Sequence, residues 1–124
     1  PNSRGADDAP ATFHALLTGQ WKNAQYLLDH GADVDEPDNE GNTLAMLCAS
    51  LTHFDRVSYL IERGANVHAE NDHGVTLAYR IQTVKLDGRS PLNAFRRKAM
   101  KQLEAQGIEF PVPNPWEKKK AERL

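Results

Sequence analysis

The sequence predicts an all-α protein in which helix–turn–helix units stack side by side as a solenoid. Two observations support this prediction. The segment GADVDEPDNEGNTL, from Gly31 to Leu44, returns 33 residues later as GANVHAENDHGVTL, from Gly64 to Leu77. Between these segments, apolar residues recur three and four positions apart, which is the spacing of one helical face. A period of roughly 20 to 50 residues is typical of solenoids, whose units share one continuous core.

The first helix of the middle unit is predicted within NTLAMLCAS, residues 42–50. Its small residues share one face: Ala45, Cys48 and Ala49. Small side chains there allow a neighbouring helix to approach closely. A pair of short helices cannot bury its apolar side alone, so the core requires stacking of similar units.

The second helix of the middle unit is predicted within FDRVSYLIER, residues 54–63. Val57, Leu60 and Ile61 form its apolar face. Gly64 ends this helix, because glycine readily adopts the positive φ that follows many helices. The polar stretch that follows contains a second glycine, Gly74, and indicates a projecting loop or short hairpin.

This pattern resembles the ankyrin repeat family, whose units read G-x-T-P-L-H-x-A-A, then G-H, then V-x-x-L-L-x-x-G-A. The middle unit matches it at Gly41, Thr43, Ala49, His53, Val57, Leu60, Ile61, Gly64 and Ala65. The preceding unit matches from Ala15 through Gly19, Leu27, Leu28, Gly31 and Ala32. The third unit matches at Gly74 and Thr76 and then departs. The resemblance covers residues 9–110 and implies repeats at about 9–41, 42–74 and 75–110.

The array departs from the family pattern in two places. T-P-L-H reads TLAM and TLAY here, and KLDGRSPLN inserts into the third unit near residues 85–93. Ser90 and Pro91 are typical of an N-cap and a first helical residue. A longer helix is therefore predicted from Leu92 to about Gln106. Its predicted core side carries Leu92, Phe95, Ala99 and Leu103, with Met100 beside them.

The two ends are predicted to differ from the repeats. Residues 1–8 are polar and are predicted to be flexible. Residues 111–124 form a proline-rich segment and a short terminal helix capped by Asn114, with Pro115 at its first position. Trp116 either packs back on the last repeat as a lid or belongs to an exposed tail that binds a partner. Both interpretations stay open from the sequence.

Charge and composition exclude several classes of function. Residues 1–95 carry a balance of −6 and residues 96–124 a balance of +4, and the acidic body argues against binding of nucleic acid. No apolar run approaches the roughly 20 residues of a membrane helix, so no membrane partner is expected. The single cysteine, Cys48, excludes an internal disulfide and favours the cytoplasm. Because the chain starts at Pro1, a lost signal peptide would leave the periplasm open.

The sequence contains no catalytic, cofactor or metal motif, so we expect a protein that is not an enzyme and needs no cofactor. Cys48 is interpreted as a small buried residue and His53 as the family's turn histidine. A small metal-binding or ligand-binding protein is an alternative, because four potential ligands lie close together in the second loop: His68, Glu70, Asp72 and His73. We expect these residues to be a solvated loop instead.

The resemblance implies a protein that binds another protein through its loop tips and the exposed side of each first helix. Carried across by position, the loop tips are Pro37, Asn39, Glu40 and Asn42, then Glu70, Asp72, His73 and Val75. The helix positions are Ser50 and Leu51, then Thr83 and Val84, and Leu51 and Val75 are predicted apolar anchors.

The carboxylates of the loops suggest a partner with a basic surface; the alternative is that they only keep the protein soluble. We expect a chain that is monomeric alone. A small bacterial inhibitor or immunity-type protein is one hypothesis, and a docking fragment of a larger protein is another.

Overall fold

The computed structural model describes residues 9–117. It contains three pairs of helices: α1 (Ala11–Leu17) with α2 (Trp21–Asp29), α3 (Leu44–Ser50) with α4 (Phe54–Glu62), and α5 (Leu77–Thr83) with α6 (Leu92–Glu104). Within the described range there is no strand, and the second loop closes with one isolated antiparallel bridge, between Glu70 and Thr76. The fold is an all-α solenoid of ankyrin type with projecting loops. The predicted flexible segment 1–8 and residues 118–124 of the predicted terminal segment lie outside the described residues.

The first helices form one row and the second helices another. α3 packs against α1 and α5, and α4 packs against α6. The period of 33 residues is kept along the first row, because the last residues of α1, α3 and α5 are Leu17, Ser50 and Thr83. Thr43 and Thr76 cap α3 and α5, and each hydroxyl accepts the N–H of the residue three positions later, at 3.3 and 3.2 Å.

The core lies between the two rows and has its centre in the middle unit. The six residues predicted for the inward faces of α3 and α4 are all buried: Ala45, Cys48, Ala49, Val57, Leu60 and Ile61. Leu103 and Ala99 extend the core into α6 and are fully buried. The small residues therefore allow close packing in the middle unit, as the sequence predicts.

The prediction that Phe95 belongs to the core side of α6 is wrong, since Phe95 is 46% exposed. The neighbouring Arg96 faces the end of α5: its guanidinium donates to the carbonyl oxygen of Val84 and to Oδ1 of Asn93. The other predicted residues do lie on the core side, since Ala99 and Leu103 are buried and Leu92 and Met100 pack against the core.

The helix α6 ends at Glu104, two residues before the predicted end. The helix starts at Leu92 as predicted, but Pro91 and not Ser90 occupies the N-cap position; Oγ of Ser90 accepts the Leu92 N–H at 3.2 Å.

After α6, the chain packs against the core in the place where a further repeat would stack. Val112 packs against the core and is fixed by Gln82, whose Oε1 accepts the Val112 N–H at 2.7 Å and whose Nε2 donates to the Val112 oxygen at 3.1 Å. A helical turn begins at Pro115, where Oδ1 of Asn114 accepts the Trp116 N–H at 2.8 Å. The Trp116 ring contacts the Tyr79 ring edge to face, with 6.2 Å between centroids. Trp116 nevertheless remains 55% exposed.

Candidate protein-binding face

Each loop is closed by one side chain at an equivalent position. Oδ1 of Asp38 accepts the N–H groups of Glu40 and Asn42, both at 2.9 Å. Thirty-three residues later, Oδ1 of Asn71 accepts the N–H groups two and four residues ahead, at the same distance. Such Asx turns reverse the chain without a regular hairpin. The sequence repeat thus encodes the same turn twice.

The two loops lie directly against each other. Nδ2 of Asn71 donates to Oδ1 of Asn42 at 2.9 Å, and the Asp72 N–H donates to the Glu40 oxygen at the same distance. Nearer the helices, Oδ1 of Asp35 accepts the N–H of Asn66 at 2.8 Å. In all three bonds, the first loop supplies the acceptor and the second loop the donor. The loops therefore form one continuous edge beside the row of first helices.

The exposed sides of α1, α3 and α5, together with this loop edge and Trp116, are here named the first-helix face. Nine predicted partner-binding residues are exposed on it: Pro37, Asn39, Glu40, Ser50, Leu51, Glu70, Asp72, His73 and Thr83. Asn42 and Val84 are half-buried. The prediction that Val75 is an exposed anchor is wrong, since Val75 is 4% exposed. The turn at Asn71 directs it inwards, where its N–H and carbonyl oxygen both bond to Asn71.

Two small cavities adjoin on the first-helix face. One, of about 150 Å³, is lined by Asn71, His73, Val75, Tyr79, Arg80, Thr83 and Trp116. The other, of about 190 Å³, is lined by Asp38, Asn42, Met46, Leu47, Ser50 and Arg80. Arg80 borders both. The cavities thus bring several predicted loop and helix positions together around one cationic side chain.

Arg80 and Tyr79 were not predicted to line this face, nor was Leu17, which is 56% exposed at the end of α1. Two signals in the sequence could have found them. Arg80 and Tyr79 lie one helical turn before Thr83, on the same side of α5. Leu17 lies one period before Ser50. Trp116 was predicted either to pack on the last repeat or to belong to an exposed tail; it contacts Tyr79 on α5 and still remains 55% exposed.

The loop edge is acidic. Glu40, Glu70 and Asp72 are exposed, and in the described part of the chain none of them forms an ion pair. Asp35 and Asp38 accept backbone N–H groups and serve the loop structure instead. The potential on this edge is therefore set by carboxylates at the loop tips.

The two chemically reactive side chains of the middle unit do not form a reactive site. Burial raises the pKa of Cys48 to about 12, so the thiol stays protonated at neutral pH. Loss of hydration on burial lowers the pKa of His53, and the neighbouring Arg56 lowers it further, so the ring is neutral at pH 7. His53 precedes α4 without capping it through its side chain.

Another cavity, of about 350 Å³, lies between the second loop and the chain after α6, and residues that line it include Val67, His68, Glu70, Ile108 and Val112. It is where a third loop would stack.

Among residues 9–117, no three His, Cys, Asp or Glu side chains lie close enough to hold a metal ion, so the predicted alternative ligands do not converge. No helix in this range has the length and apolar character to span a bilayer.

The family of the chain was identified by comparison with known proteins. A search of curated proteins finds no match. The family model described as ankyrin repeats, with three copies, matches residues 2–71, which is more than half of the chain. The match ends before α5, in agreement with the departure of the third unit from the pattern. The chain therefore belongs to the ankyrin repeat family, whose members are generally protein–protein interaction modules and are typically not enzymes.

Proposed function

We propose that the chain binds a segment of one partner protein on the first-helix face and has no catalytic role of its own. The observation that supports this proposal is the pair of adjoining cavities along α3 and α5, bordered by the predicted loop and helix positions. Leu51, 40% exposed at the end of α3, supplies an apolar contact beside polar loop tips. An apolar centre within a polar rim is typical of protein interfaces.

The loop edge adds a preference for the charge of the partner. Glu40, Glu70 and Asp72 present carboxylates with no cation beside them in the described residues. A partner with basic residues opposite this edge gains long-range attraction, which accelerates encounter. The loop tips therefore select the partner by its charge, while the helix positions supply contact area.

The test begins with affinity purification of the partner from the source cell, followed by measurement of its Kd for three forms of the chain. Leu51→Asp places a charge on the first-helix face and is expected to weaken binding at least tenfold, or about 1.4 kcal/mol. Phe95→Asp is the matched control, because Phe95 is a similarly exposed apolar residue on α6. Equal loss of affinity in both variants would contradict the proposed surface.

The charge preference has a separate test. The association rate is measured at low and high ionic strength, since screening shortens the reach of charges to about 8 Å at physiological salt. We expect the rate to fall with salt, and to fall less when Glu40, Glu70 and Asp72 are changed together to Gln. A rate that does not respond to salt would leave these carboxylates with no role beyond solubility.

A further inference from the structure

Arg80 occupies an unusual position for a cation. It lies on α5 at the position that Leu47 holds in the preceding repeat, and it is half-buried between the two cavities of the first-helix face. Its side chain reaches across to the middle unit. One terminal nitrogen donates to Oγ of Ser50 at 3.3 Å and the other to Oδ1 of Asn42 at 3.4 Å. A charge thus replaces an apolar residue at the centre of the face.

The hydrogen bonds of Arg80 leave its charge without a counterion. Both acceptors are neutral and both distances are long for N–H donation. Nε is buried and has no acceptor among the described residues, and no carboxylate oxygen there lies within 4.0 Å of the guanidinium. By contrast, Arg63 pairs with Asp29 at 2.7 Å. A half-buried guanidinium gains most from an ionised acceptor, which forms shorter and stronger hydrogen bonds.

We propose that Arg80 recognises the carboxylate of an Asp or Glu side chain presented by the partner protein. This proposal rests on the proposed function, because the partner segment must lie on the first-helix face. The terminal nitrogens of Arg80 donate only one hydrogen bond each in the present structure. Each terminal nitrogen carries two N–H groups, so one on each remains for a carboxylate that approaches in the fork geometry.

The surrounding charges favour a carboxylate over a phosphate group. Asp38 lines the same cavity as Arg80, but its Oδ1 already accepts two N–H groups and its Oδ2 lies 3.4 Å from Nδ2 of Asn42. These donors offset part of its charge. A phosphate carries about −1.5 to −2 charges at neutral pH, so the acidic loop edge opposes it more strongly than a single carboxylate.

The 150 Å³ cavity indicates which kind of partner residue lies next to the acidic residue. Trp116 and Tyr79 present aromatic surface on the other side of Arg80, and the cavity there has a volume of about 150 Å³. This volume suits one medium-sized apolar side chain. The partner segment thus combines an acidic residue for Arg80 with an adjacent apolar residue for Trp116, while its basic residues lie opposite the loop edge.

The test uses displayed short random peptides selected on the full chain. Selected peptides are expected to share one Asp or Glu next to an apolar residue. Replacing that acid with its amide in a synthetic peptide is expected to raise Kd about 10- to 100-fold, which is the effect of losing one charge-assisted contact. Arg80→Gln is expected to raise Kd for the acidic peptide similarly and to abolish the preference for acid over amide. Arg80→Lys keeps the charge but not the forked pair of donors. Its Kd for the acidic peptide is therefore expected to lie between those of wild type and Arg80→Gln.

Two further variants, Arg97→Gln and Leu51→Asp, and the substitution in the peptide make the outcomes distinguishable. Arg97→Gln changes an exposed arginine on α6 and should leave Kd unchanged. If Leu51→Asp abolishes binding while acid and amide peptides bind wild type equally, the assignment to Arg80 is wrong and the binding face stands. If neither Leu51→Asp nor Arg80→Gln affects the selected peptides, they bind elsewhere and both proposals are wrong. The peptide substitution needs no folded variant, so it decides even if Arg80→Gln unfolds.

Discussion

The loop between α2 and α3 and the loop between α4 and α5 have the same turn but different neighbours. Each is closed by an Asx side chain, Asp38 in the first and Asn71 in the second. The first loop is covered along one edge by the second, which donates three hydrogen bonds to it. The corresponding edge of the second loop meets no third loop, because the chain after α6 runs past it and leaves a cavity.

This difference explains why the two Asx positions carry different residues. Asp38 needs only to accept N–H groups within its own loop. Asn71 must accept them and also donate to Asn42, and a carboxylate cannot donate when ionised. Asn71 is also more buried, at 7% exposure. The repeated sequence therefore specifies the turn, and the neighbouring loop specifies which residue can close it.

The largest expected effect tests the contact between the loops at Gly41. A Cβ added there would lie 2.8 Å from Oδ1 of Asp72 and 3.0 Å from its backbone nitrogen, at a φ of +80°. Gly41→Ala is expected to lower the free energy of unfolding by about 2 to 5 kcal/mol. The positive φ contributes about 1–2 kcal/mol and the overpacking about 1–3 kcal/mol. Urea unfolding monitored by circular dichroism measures the total loss in the free energy of unfolding.

The matched control is Gly31→Ala in the first loop. Gly31 has a φ of +99°, and a Cβ there would meet nothing within 4 Å. We expect a loss of about 1 to 2 kcal/mol from backbone strain alone. The difference between the variants isolates the loop-to-loop contact. Equal losses would show that the loops do not press against each other at Gly41.

A smaller effect is expected from exchanging the two Asx residues. Asn71→Asp removes the donor to Asn42 and places a charge in a buried site, so we expect a loss of about 1 to 3 kcal/mol. Asp38→Asn keeps the acceptor of its two N–H groups and should change stability by less than about 0.5 kcal/mol. Thermal or urea unfolding at pH 7 measures both. A comparable cost for the two exchanges would mean that the turn alone determines stability.

The sequence predicted the parts of this comparison that depend on local chemistry. The 33-residue period located both loops and the first helices, and Gly64 marked the end of α4 because a positive φ (91°) favours glycine. Family membership and the stacked helix pairs are confirmed by the family match and the structure. These features follow from residues close together in the chain.

The predictions that are wrong concern positions whose burial is set by contacts between residues far apart in the chain. Val75 looked like a loop-tip anchor, but a turn set by Asn71 directs it inwards. Phe95 looked like core, but it is 46% exposed, while the neighbouring Arg96 donates to the Val84 carbonyl oxygen at the end of α5. Arg80 was not predicted at all, and the groups that it contacts across the face, Ser50 and Asn42, lie in another repeat. Local spacing shows which residues share a side of a helix, but not which of them a neighbouring repeat covers.

The smallest expected effect is on the helical side of the same junction between the first two repeats. Asp29 on α2 and Arg63 after α4 pair at 2.7 Å, with 57% and 32% of their side chains exposed. Water and ions screen such a pair, so Asp29→Asn should lower the free energy of unfolding by about 0.2–1 kcal/mol. Double-mutant analysis with Arg63→Gln measures the coupling, and the coupling should shrink at high salt. A coupling that exceeds the cost of Asn71→Asp would reverse the comparison, since the junction would then depend on the helical side more than on the loops.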